Sequence, residues 1–480
     1  MKNIKYNFYI LVAFVSILTS CKKSFLDEQP YTSVSVSKAI NTESDMLDAT
    51  SGMYTALKAS SFLGRDAAVL GDLLADNTYL STSNSGRFIT QNNYTFTATT
   101  TEPANIWGQG YYTILQANRI IGTNLTLTDN VKQLKGEAYA IRALSYLTLV
   151  NWFATPYTVN SAAPGVPLVT VSTDIAGGFI KPARNTVAEV YSKIISDLDS
   201  AYLLMPATTA SIHTASSNFI AKYAVKAIQA RAYLYKGDYA NARDAALLVV
   251  QNGGYSLAST SAIFASFWAS GASRTDKLET IFELNMSSTS SNGTAALDYI
   301  YSQSGGYGDL LVTDNTYALY TATDARRALI TSGTRASYQA YIVNKYQNVL
   351  NTDRDDVKVI RYAEVLLTLT EAYARLGDEA NALIYLNRVA QNRDAAQVAY
   401  TYTGTALVDA IINERRKELA FEGLRFFDLS RTNSVINRQN MGVKAYSYYT
   451  TVSTSDTRRL QPIPSGEIGA NPNITQNPGY

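Results

Sequence analysis

At residues 232–242 the chain reads Ala-Tyr-Leu-Tyr-Lys-Gly-Asp-Tyr-Ala-Asn-Ala, and this stretch decides the fold. Helical periodicity over residues 219–237 and again over 239–250 predicts one helix on each side of the Gly237-Asp238 dipeptide. Glycine permits the backbone to make a tight turn, and the small alanines allow the two helices to approach closely. The stretch therefore predicts two helices packed side by side.

The same pattern returns 140 residues later in Ala372-Tyr373, Gly377-Asp378 and Ala380-Asn-Ala382. Two copies of a helix–turn–helix unit resemble tetratricopeptide repeats. A single pair cannot bury its apolar side alone, so we expect several pairs to stack. The chain is predicted to be mainly α-helical, with few short strands and helical pairs around 103–153, 187–252 and 357–431.

Residues 254–350 separate the two copies and lack a sustained helical pattern. Only Glu279 to Asn285 alternates like a short strand, in surroundings rich in Ser, Gly, Thr and Tyr. A connection of this length is functional or contains unrecognised structure. We therefore expect an irregular, loop-rich region that carries the ligand site.

Composition favours a folded protein and argues against a nucleic-acid partner. Hydrophobic residues make up 46% of the chain and charged residues 17%, which is the balance of a folded protein. The 41 Lys and Arg residues nearly match the 39 Asp and Glu residues, and no long basic run occurs. The electrostatic pattern of a nucleic-acid binder is missing.

The N-terminus predicts export and a lipid anchor. Lys2 and Lys5 precede an apolar run, residues 8–18, that is shorter than the ~20 residues a spanning helix needs. Residues 1–20 are interpreted as a signal peptide, because Leu18-Thr-Ser-Cys21 resembles a bacterial lipobox whose cysteine is lipidated. Cys21 is the sole cysteine of the chain. Residues 21–36 then form a tether, and 37–480 a single domain.

The residues that usually carry catalysis are scarce. His213 is the only histidine, and the polar sequence around it predicts an ordinary surface loop. With one histidine and one cysteine in the chain, zinc sites built on His and Cys and Cys-His dyads are excluded. Asp353, Asp355 and Asp356 lack the glycine and terminal glutamate of a calcium loop, which favours a solvated turn. A glycosidase needs only two placed carboxylates, which sequence alone does not exclude. We expect no enzyme, no cofactor and no metal.

Binding requires only aromatic faces and nearby hydrogen-bonding groups. Two loop regions supply both kinds of group. The candidate ligand-binding residues are Asn77, Tyr79, Asn84 and Arg87 in the first region, and Trp268, Tyr299, Tyr301 and Tyr307 in the second.

Near the C-terminus lies a charged amphipathic stretch, residues 413–431, which reads Asn-Glu-Arg-Arg-Lys-Glu-Leu-Ala-Phe-Glu-Gly-Leu-Arg-Phe-Phe-Asp-Leu-Ser-Arg. Its charges fall at helical spacings and predict either a solvated face or a buried structural network. Gly423 is predicted to end the helix as its C-cap. We refer to residues 413–431 as the charged motif.

These features together resemble the SusD/RagB family of nutrient-binding lipoproteins. The resemblance is carried by Leu18–Cys21, Trp107–Asn118, Gly136–Ala143 with Pro164–Leu168, Val359–Leu367, the charged motif and Pro462–Tyr480. It implies about four tetratricopeptide-like helix pairs, a surface-exposed lipoprotein anchored in the outer membrane, and a SusC-like TonB-dependent transporter as partner. It also implies binding of an oligosaccharide without catalysis; the alternatives are a peptide-binding RagB-like protein and a scaffold that binds only protein.

Overall fold

The computed structural model describes residues 39–172, 180–287, 289–438, 445–446 and 448–480. The predicted signal peptide, the lipidation site at Cys21 and the tether lie outside the described residues. Within them, 48% of residues are helical and 10% lie in strands, which confirms the mainly α class. None of the helices described is long and apolar enough to span a membrane.

Sixteen α-helices follow one another along the described chain. Their bounds are α1 Glu43–Leu57, α2 Asp66–Leu73, α3 Ile89–Asn92, α4 Thr101–Ile121, α5 Asp129–Phe153, α6 Val187–Leu204, α7 Lys222–Lys236, α8 Tyr239–Asn252, α9 Ser261–Ala269, α10 Leu297–Tyr301, α11 Asp314–Tyr317, α12 Tyr362–Arg375, α13 Glu379–Arg393, α14 Gly404–Glu418, α15 Arg425–Arg431 and α16 Ser465–Ala470. Helices α4 to α8 and α12 to α14 pack as successive neighbours around one apolar core.

The two copies of the repeated stretch have the same local geometry and contact each other. Gly237 and Gly377 both have positive φ, +76° and +82°, as the turn requires. Asp238 accepts a hydrogen bond from Asn241 N, and Asp378 accepts one from Asn381 N, so each aspartate caps the helix that follows it. Helix α12 packs on both α7 and α8, which joins the two copies across the intervening insert.

The strands are short and belong to three antiparallel sheets. Their bounds are β1 Thr78–Leu80, β2 Thr280–Leu284, β3 Leu310–Val312, β4 Ile330–Arg335, β5 Tyr338–Val343, β6 Val357–Arg361, β7 Ile436–Asn437 and β8 Thr451–Val452. The largest sheet has the order β1-β3-β5-β4; β2 pairs with β6, and β7 with β8.

Residues 254–350 are more irregular than the helical repeats, but they contain structure that the sequence did not reveal. This insert contains three helices, α9 to α11, and four strands, β2 to β5. Its strands are only three to six residues long, and β3 pairs with the distant β1. Short strands whose partners lie far away in the chain leave little periodic signal, so only β2 was visible in the sequence.

The charged motif is a buried network. Glu418 accepts hydrogen bonds from Arg326, Arg361 and Arg393, which come from three different segments of the chain. All four side chains are at most 2% exposed. Burial opposes ionisation, but the three arginines outweigh it and hold the pKa of Glu418 below its ordinary value. The sequence predicted either a solvated face or a buried structural network, and the structure excludes the solvated face.

Gly423 has a different role from the predicted helix C-cap. Helix α14 already ends at Glu418, and Gly423 lies in the turn before α15 with φ +79°. A Cβ atom at Gly423 would stand 2.5 Å from the Cα of Ala68, and one at Gly71 would stand 1.9 Å from the carbonyl oxygen of Gly423. The glycine is therefore needed where the turn packs directly on helix α2.

The motif also holds the segment that leads into β1. Asp72 accepts hydrogen bonds from the backbone amides of Phe421 and Gly423. Asp76 forms salt bridges with Arg416 and Arg425, which lower its pKa although burial opposes them. These hydrogen bonds and salt bridges attach the segment before β1 to the charged motif, and so fix the start of the loop that follows β1.

Candidate functional site

Antiparallel pairing of β1 with β3 brings together the two loop regions that the sequence predicted separately. Leu80 at the end of β1 lies opposite Leu310 at the start of β3. The loop 81–88 therefore emerges beside the loop 302–309, although more than 200 residues separate them. The amide of Ser81 donates to the carbonyl of Asp309 at 2.9 Å and extends the pairing by one step.

Four partly exposed or clamping side chains form the candidate site: Arg87, Tyr299, Tyr307 and Arg335. We call them the tyrosine–arginine cluster. The rings of Tyr299 and Tyr307 lie 4.8 Å apart in an edge-to-face arrangement at 71°. The guanidinium of Arg87 lies 4.3 Å from the centroid of the Tyr307 ring and donates to its hydroxyl at 3.3 Å. Aromatic faces and a cation thus share one surface.

Gly306 makes this tyrosine pair possible. The backbone turns back within residues 302–307, so that the amide of Tyr307 donates to the carbonyl of Tyr299 at 2.7 Å. A Cβ atom at Gly306 would lie 2.5 Å from the carbonyl oxygen of Ser302 and 2.6 Å from that of Tyr299. The glycines of 305–308 therefore serve a tight turn that presents Tyr307.

A buried carboxylate and a second arginine fix the two loops to each other. Asp309 accepts hydrogen bonds from the amide and the hydroxyl of Ser85, at 2.8 and 2.5 Å. Arg335, at the end of β4, donates to the carbonyl of Ser83 at 2.7 Å and to that of Tyr307 at 2.6 Å. Because these contacts use backbone carbonyls of both loops, Arg335 acts as a clamp that positions the cluster.

The structure supports three of the eight predicted residues as surface groups: Arg87, Tyr299 and Tyr307 are all partly exposed. Asn84 is also partly exposed, but its side chain closes the loop by donating to the carbonyl of Ser81 and accepting from the amide of Gly86. Asn84 therefore shapes the loop that carries Arg87.

The other four predictions require correction, because their side chains are buried and offer no surface to a ligand. Tyr79 and Tyr301 are 0% exposed, as is Asn77, and Trp268 is 3% exposed. Asn77 bridges Asp72 and Arg416, Tyr301 stacks on Tyr346, and Trp268 packs on Phe267. Tyr79 packs with Leu311 and Ala340 in a small apolar cluster formed by side chains of the largest sheet. Each belongs to the scaffold beneath the site.

The sequence missed Arg335. It lies within the 254–350 insert, but its role depends on the β4–β5 hairpin, whose β5 strand pairs with β3. No local pattern distinguishes it from the other arginines of the insert.

Two further groups differ from their sequence interpretation. His213 is buried: its ring stacks on Phe219 at a centroid distance of 3.9 Å, with Nε2 3.3 Å from Glu137 Oε1.

Asp355 and Asp356 do not form a solvated turn. Asp355 accepts two hydrogen bonds from Asn348, and Asp356 accepts one from the amide of Met286. Burial raises the pKa of Asp355 to about 6 and that of Asp356 to about 7.

The arrangement at the tyrosine–arginine cluster is suited to binding. Tyrosine rings can stack on the apolar face of a sugar ring, and the arginine can donate hydrogen bonds to hydroxyl oxygens. Asp309, the carboxylate that joins the two loops, is 0% exposed and already accepts two hydrogen bonds.

Comparison with known proteins places the chain in a family. The family model described as "SusD family" matches residues 327–480, and the one described as "Starch-binding associating with outer membrane" matches residues 24–234. A crystal structure of a putative sugar binding protein from Bacteroides vulgatus is 30% identical, with a TM-score of 0.82, and the match covers 92% of this chain and 100% of that one. The chain belongs to the SusD family.

Other relatives agree with this assignment over the whole length. A SusD superfamily protein from Bacteroides thetaiotaomicron is 26% identical with a TM-score of 0.81, covering 91% of this chain and 100% of that chain. SusD-like protein P2 from Formosa agariphila is 26% identical over 100% of both chains. The family resemblance of the sequence motifs is thereby confirmed, as is the SusD fold.

Proposed function

We propose that this SusD-family chain is a surface-exposed, lipid-anchored binding protein that captures an oligosaccharide and delivers it to a SusC-like TonB-dependent transporter of the outer membrane. The observation that carries the binding step is the meeting of the 81–88 and 302–309 loops, which presents Tyr299, Tyr307 and Arg87 on one surface. The match to a family described as starch-binding and outer-membrane-associated supports the sugar as ligand class.

The binding experiment uses a glycan array together with a peptide library, followed by calorimetry on the hits. The matched variants are Tyr307→Ala at the cluster and Tyr402→Ala as control, since Tyr402 is 50% exposed and lies outside the cluster. Loss of a ring stacked on a sugar removes roughly 1.5–3 kcal/mol, so Tyr307→Ala should weaken binding about 10- to 100-fold. Tyr402→Ala should leave the affinity unchanged.

The result also decides the ligand class. Binding of peptides alone would overturn the sugar assignment in favour of a RagB-like function, and binding of neither would favour a protein-only scaffold. Incubation of the protein with a polysaccharide that it binds should release no shorter product, because we propose binding without catalysis.

The anchor and the partner need separate tests. Radiolabelled palmitate should be incorporated into the wild-type protein and not into Cys21→Ser. The transporter should co-purify with the wild type and with Tyr307→Ala alike, while uptake of the bound sugar fails in Tyr307→Ala. Loss of co-purification in a stable Tyr307→Ala variant would contradict the separation of sugar binding from transporter binding.

A further inference from the structure

A second cavity lies at the beginning of helix α7, away from the tyrosine–arginine cluster. Its volume is about 360 Å³, at the lower end of the range of ligand sites, ~300–1,000 Å³. The walls come from residues 207–209 and 215–217, the first turn of α7, the end of α8 with Tyr255, and residues 274–281. It shares no lining residue with the cluster.

The charge of the lining is positive. Lys222, Arg274 and Lys277 line the cavity, and none of the described residues that line it carries a carboxylate. Arg274 is neutralised by Asp276, which stands beside it. Within the part of the chain that the structure describes, Lys222 and Lys277 donate only to backbone carbonyls, those of Met205 and Gly253, at 2.8 and 2.9 Å. The two ammonium groups also lie over the rings of Tyr202 and Tyr255, at 4.6 and 5.5 Å from the ring centroids. Carbonyl oxygens and tyrosine rings bear no net charge, so neither lysine is paired with a carboxylate among the described residues.

A carboxylate does lie behind the wall, but it is paired. Ser217 lines the cavity, and its hydroxyl donates to Glu283. Lys358 forms a salt bridge with that same glutamate, and both side chains are at most 5% exposed. Glu283 therefore leaves the positive charge of Lys222 and Lys277 in place.

The first turn of α7 adds a further attraction for anions. Ala221 occupies the N-cap position, and its methyl group accepts no hydrogen bond, whereas Thr186 caps α6 and Asp238 caps α8. The first turn of α7 also contains no acidic residue. The start of a 15-residue helix carries a partial positive charge, and its free amides suit an anion. Ala221, Lys222 and Tyr223 all line the cavity.

An unpartnered hydroxyl lies in the same wall. Thr280 is 1% exposed, and its Oγ1 has no hydrogen-bond partner among the described residues. A buried hydroxyl left without a partner is destabilising, because it has given up its hydrogen bonds to water. An oxygen of a bound ligand would complete its hydrogen bonding.

We propose that this cavity is a second binding site, which takes the carboxylate or sulfate ester of an anionic sugar unit at the first turn of α7. The acidic group accepts hydrogen bonds from the amides of Lys222 and Tyr223 and from Thr280, with Lys277 supplying charge. The rings of Tyr223 and Tyr255 flank the sugar. This inference rests on the proposed function and extends it: the second site binds acidic glycans in preference to neutral ones, because a neutral sugar lacks the charged group.

The decisive variant is Ala221→Asp. An aspartate at this position caps the helix from within the chain, which stabilises the helix and keeps the protein folded. Its carboxylate occupies the amides and repels an incoming anion. We expect the affinity for galacturonate or galactose 6-sulfate, measured by calorimetry, to fall about tenfold or more, with an unchanged or higher melting temperature.

Two further comparisons complete the experiment. Lys277→Ala should weaken binding of both acidic sugars severalfold, whereas Lys132→Ala, which removes an exposed lysine of α5 outside the cavity, should not. Wild-type protein should bind galactose far more weakly than either acid. Equal binding of galactose and the acids, or unchanged affinity in Ala221→Asp, would overturn the proposal. Equally tight binding of inorganic sulfate would overturn the sugar assignment.

Failure of this site and failure of the proposed function are distinguishable. Tyr307→Ala should weaken binding of the array-selected oligosaccharide without changing the affinity for galacturonate. Ala221→Asp should weaken binding of galacturonate without changing the affinity for that oligosaccharide. A loss of both affinities in either variant would contradict two separate sites.

Discussion

Replacing Glu418 by glutamine tests whether the charged motif is structural. The substitution keeps the volume of the side chain and removes its negative charge from a site that is 2% exposed. Four hydrogen bonds from three arginines end on this carboxylate: Arg326 at 3.2 Å, Arg361 at 2.9 Å, and Arg393 at 3.0 and 3.1 Å. In the variant, one of the two acceptor oxygens becomes an amide NH2 group, and the arginines lose the negative charge that they share.

The expected cost follows from burial. Removing one partner of a buried ion pair destabilises a protein by about 3–5 kcal/mol, because the remaining charge stays in a poorly solvated site. Arg326 keeps Asp324 and Glu414, and Arg361 and Arg393 keep Glu279, which places the loss toward the lower end of that range. The unfolding entropy is about 2.1 cal/mol/K per residue, or about 0.9 kcal/mol/K for roughly 440 residues. The melting temperature should therefore fall by about 3–5 °C.

Differential scanning calorimetry measures this shift, with Asp409→Asn as the control. Asp409 is an exposed carboxylate on the same helix, α14, so its loss should change the melting temperature by less than about 1 °C. The affinity of Glu418→Gln for the array-selected oligosaccharide should equal that of the wild type below the melting transition. An unchanged melting temperature would refute the structural role, and a large loss of affinity at normal stability would make the motif part of a binding site.

Two other substitutions test the packing and the electrostatics of the scaffold. Gly423→Ala should destabilise the protein by about 2–4 kcal/mol, because the added Cβ would lie 2.5 Å from the backbone of Ala68 at a residue with positive φ. The control is Gly466→Ala, since a Cβ atom at Gly466 would have nothing within 4 Å. Equal melting temperatures of the two variants would contradict the close packing of Gly423 on helix α2. Burial raises the pKa of Asp355 to about 6, so the native protein binds the proton of this carboxyl group more tightly than the unfolded chain does. The stability that the bound proton contributes is therefore lost as the pH rises from about 4 through 6. Urea unfolding measures the free energy of unfolding of Asp355→Asn relative to the wild type, and this difference should rise by about 2 kcal/mol in favour of the variant from pH 4 to pH 7. A difference that does not change with pH would contradict the raised pKa of Asp355.

The helical part of the fold was predictable because its signals are local. The helices predicted over residues 219–237 and 239–250 correspond to α7 and α8, and the Gly237 and Gly377 turns have the geometry their sequence suggested. Turn residues act on their nearest neighbours in the chain, and helix periodicity extends over a dozen residues or more.

The charged motif shows where such local information ends. Its spacing predicted a helix, and the first part of the stretch lies in α14, but spacing left open whether the charges face solvent. Burial was decided by Arg326, Arg361 and Arg393, which approach Glu418 from segments 25 to 92 residues away in the chain.

The candidate site followed from sequence only as a pair of polar, aromatic loops. Tyr301 and Tyr307 lie six residues apart in one segment, yet the first is fully buried against Tyr346 and the second is partly exposed beside Arg87. Composition cannot separate them, because tyrosine suits both a core and a surface.

The sequence by itself determined the helical repeats, the family and the two loop regions, because turn glycines, capping aspartates and helix periodicity operate within a few residues. The tertiary structure decided which tyrosines reach the surface, which arginine clamps them and where positive charge collects around Thr280. Those outcomes depend on the β1–β3 pairing, which joins segments more than 200 residues apart, and on the segments that meet at the start of α7. Burial and electrostatic pairing are set by such long-range neighbours, and no local pattern encodes them.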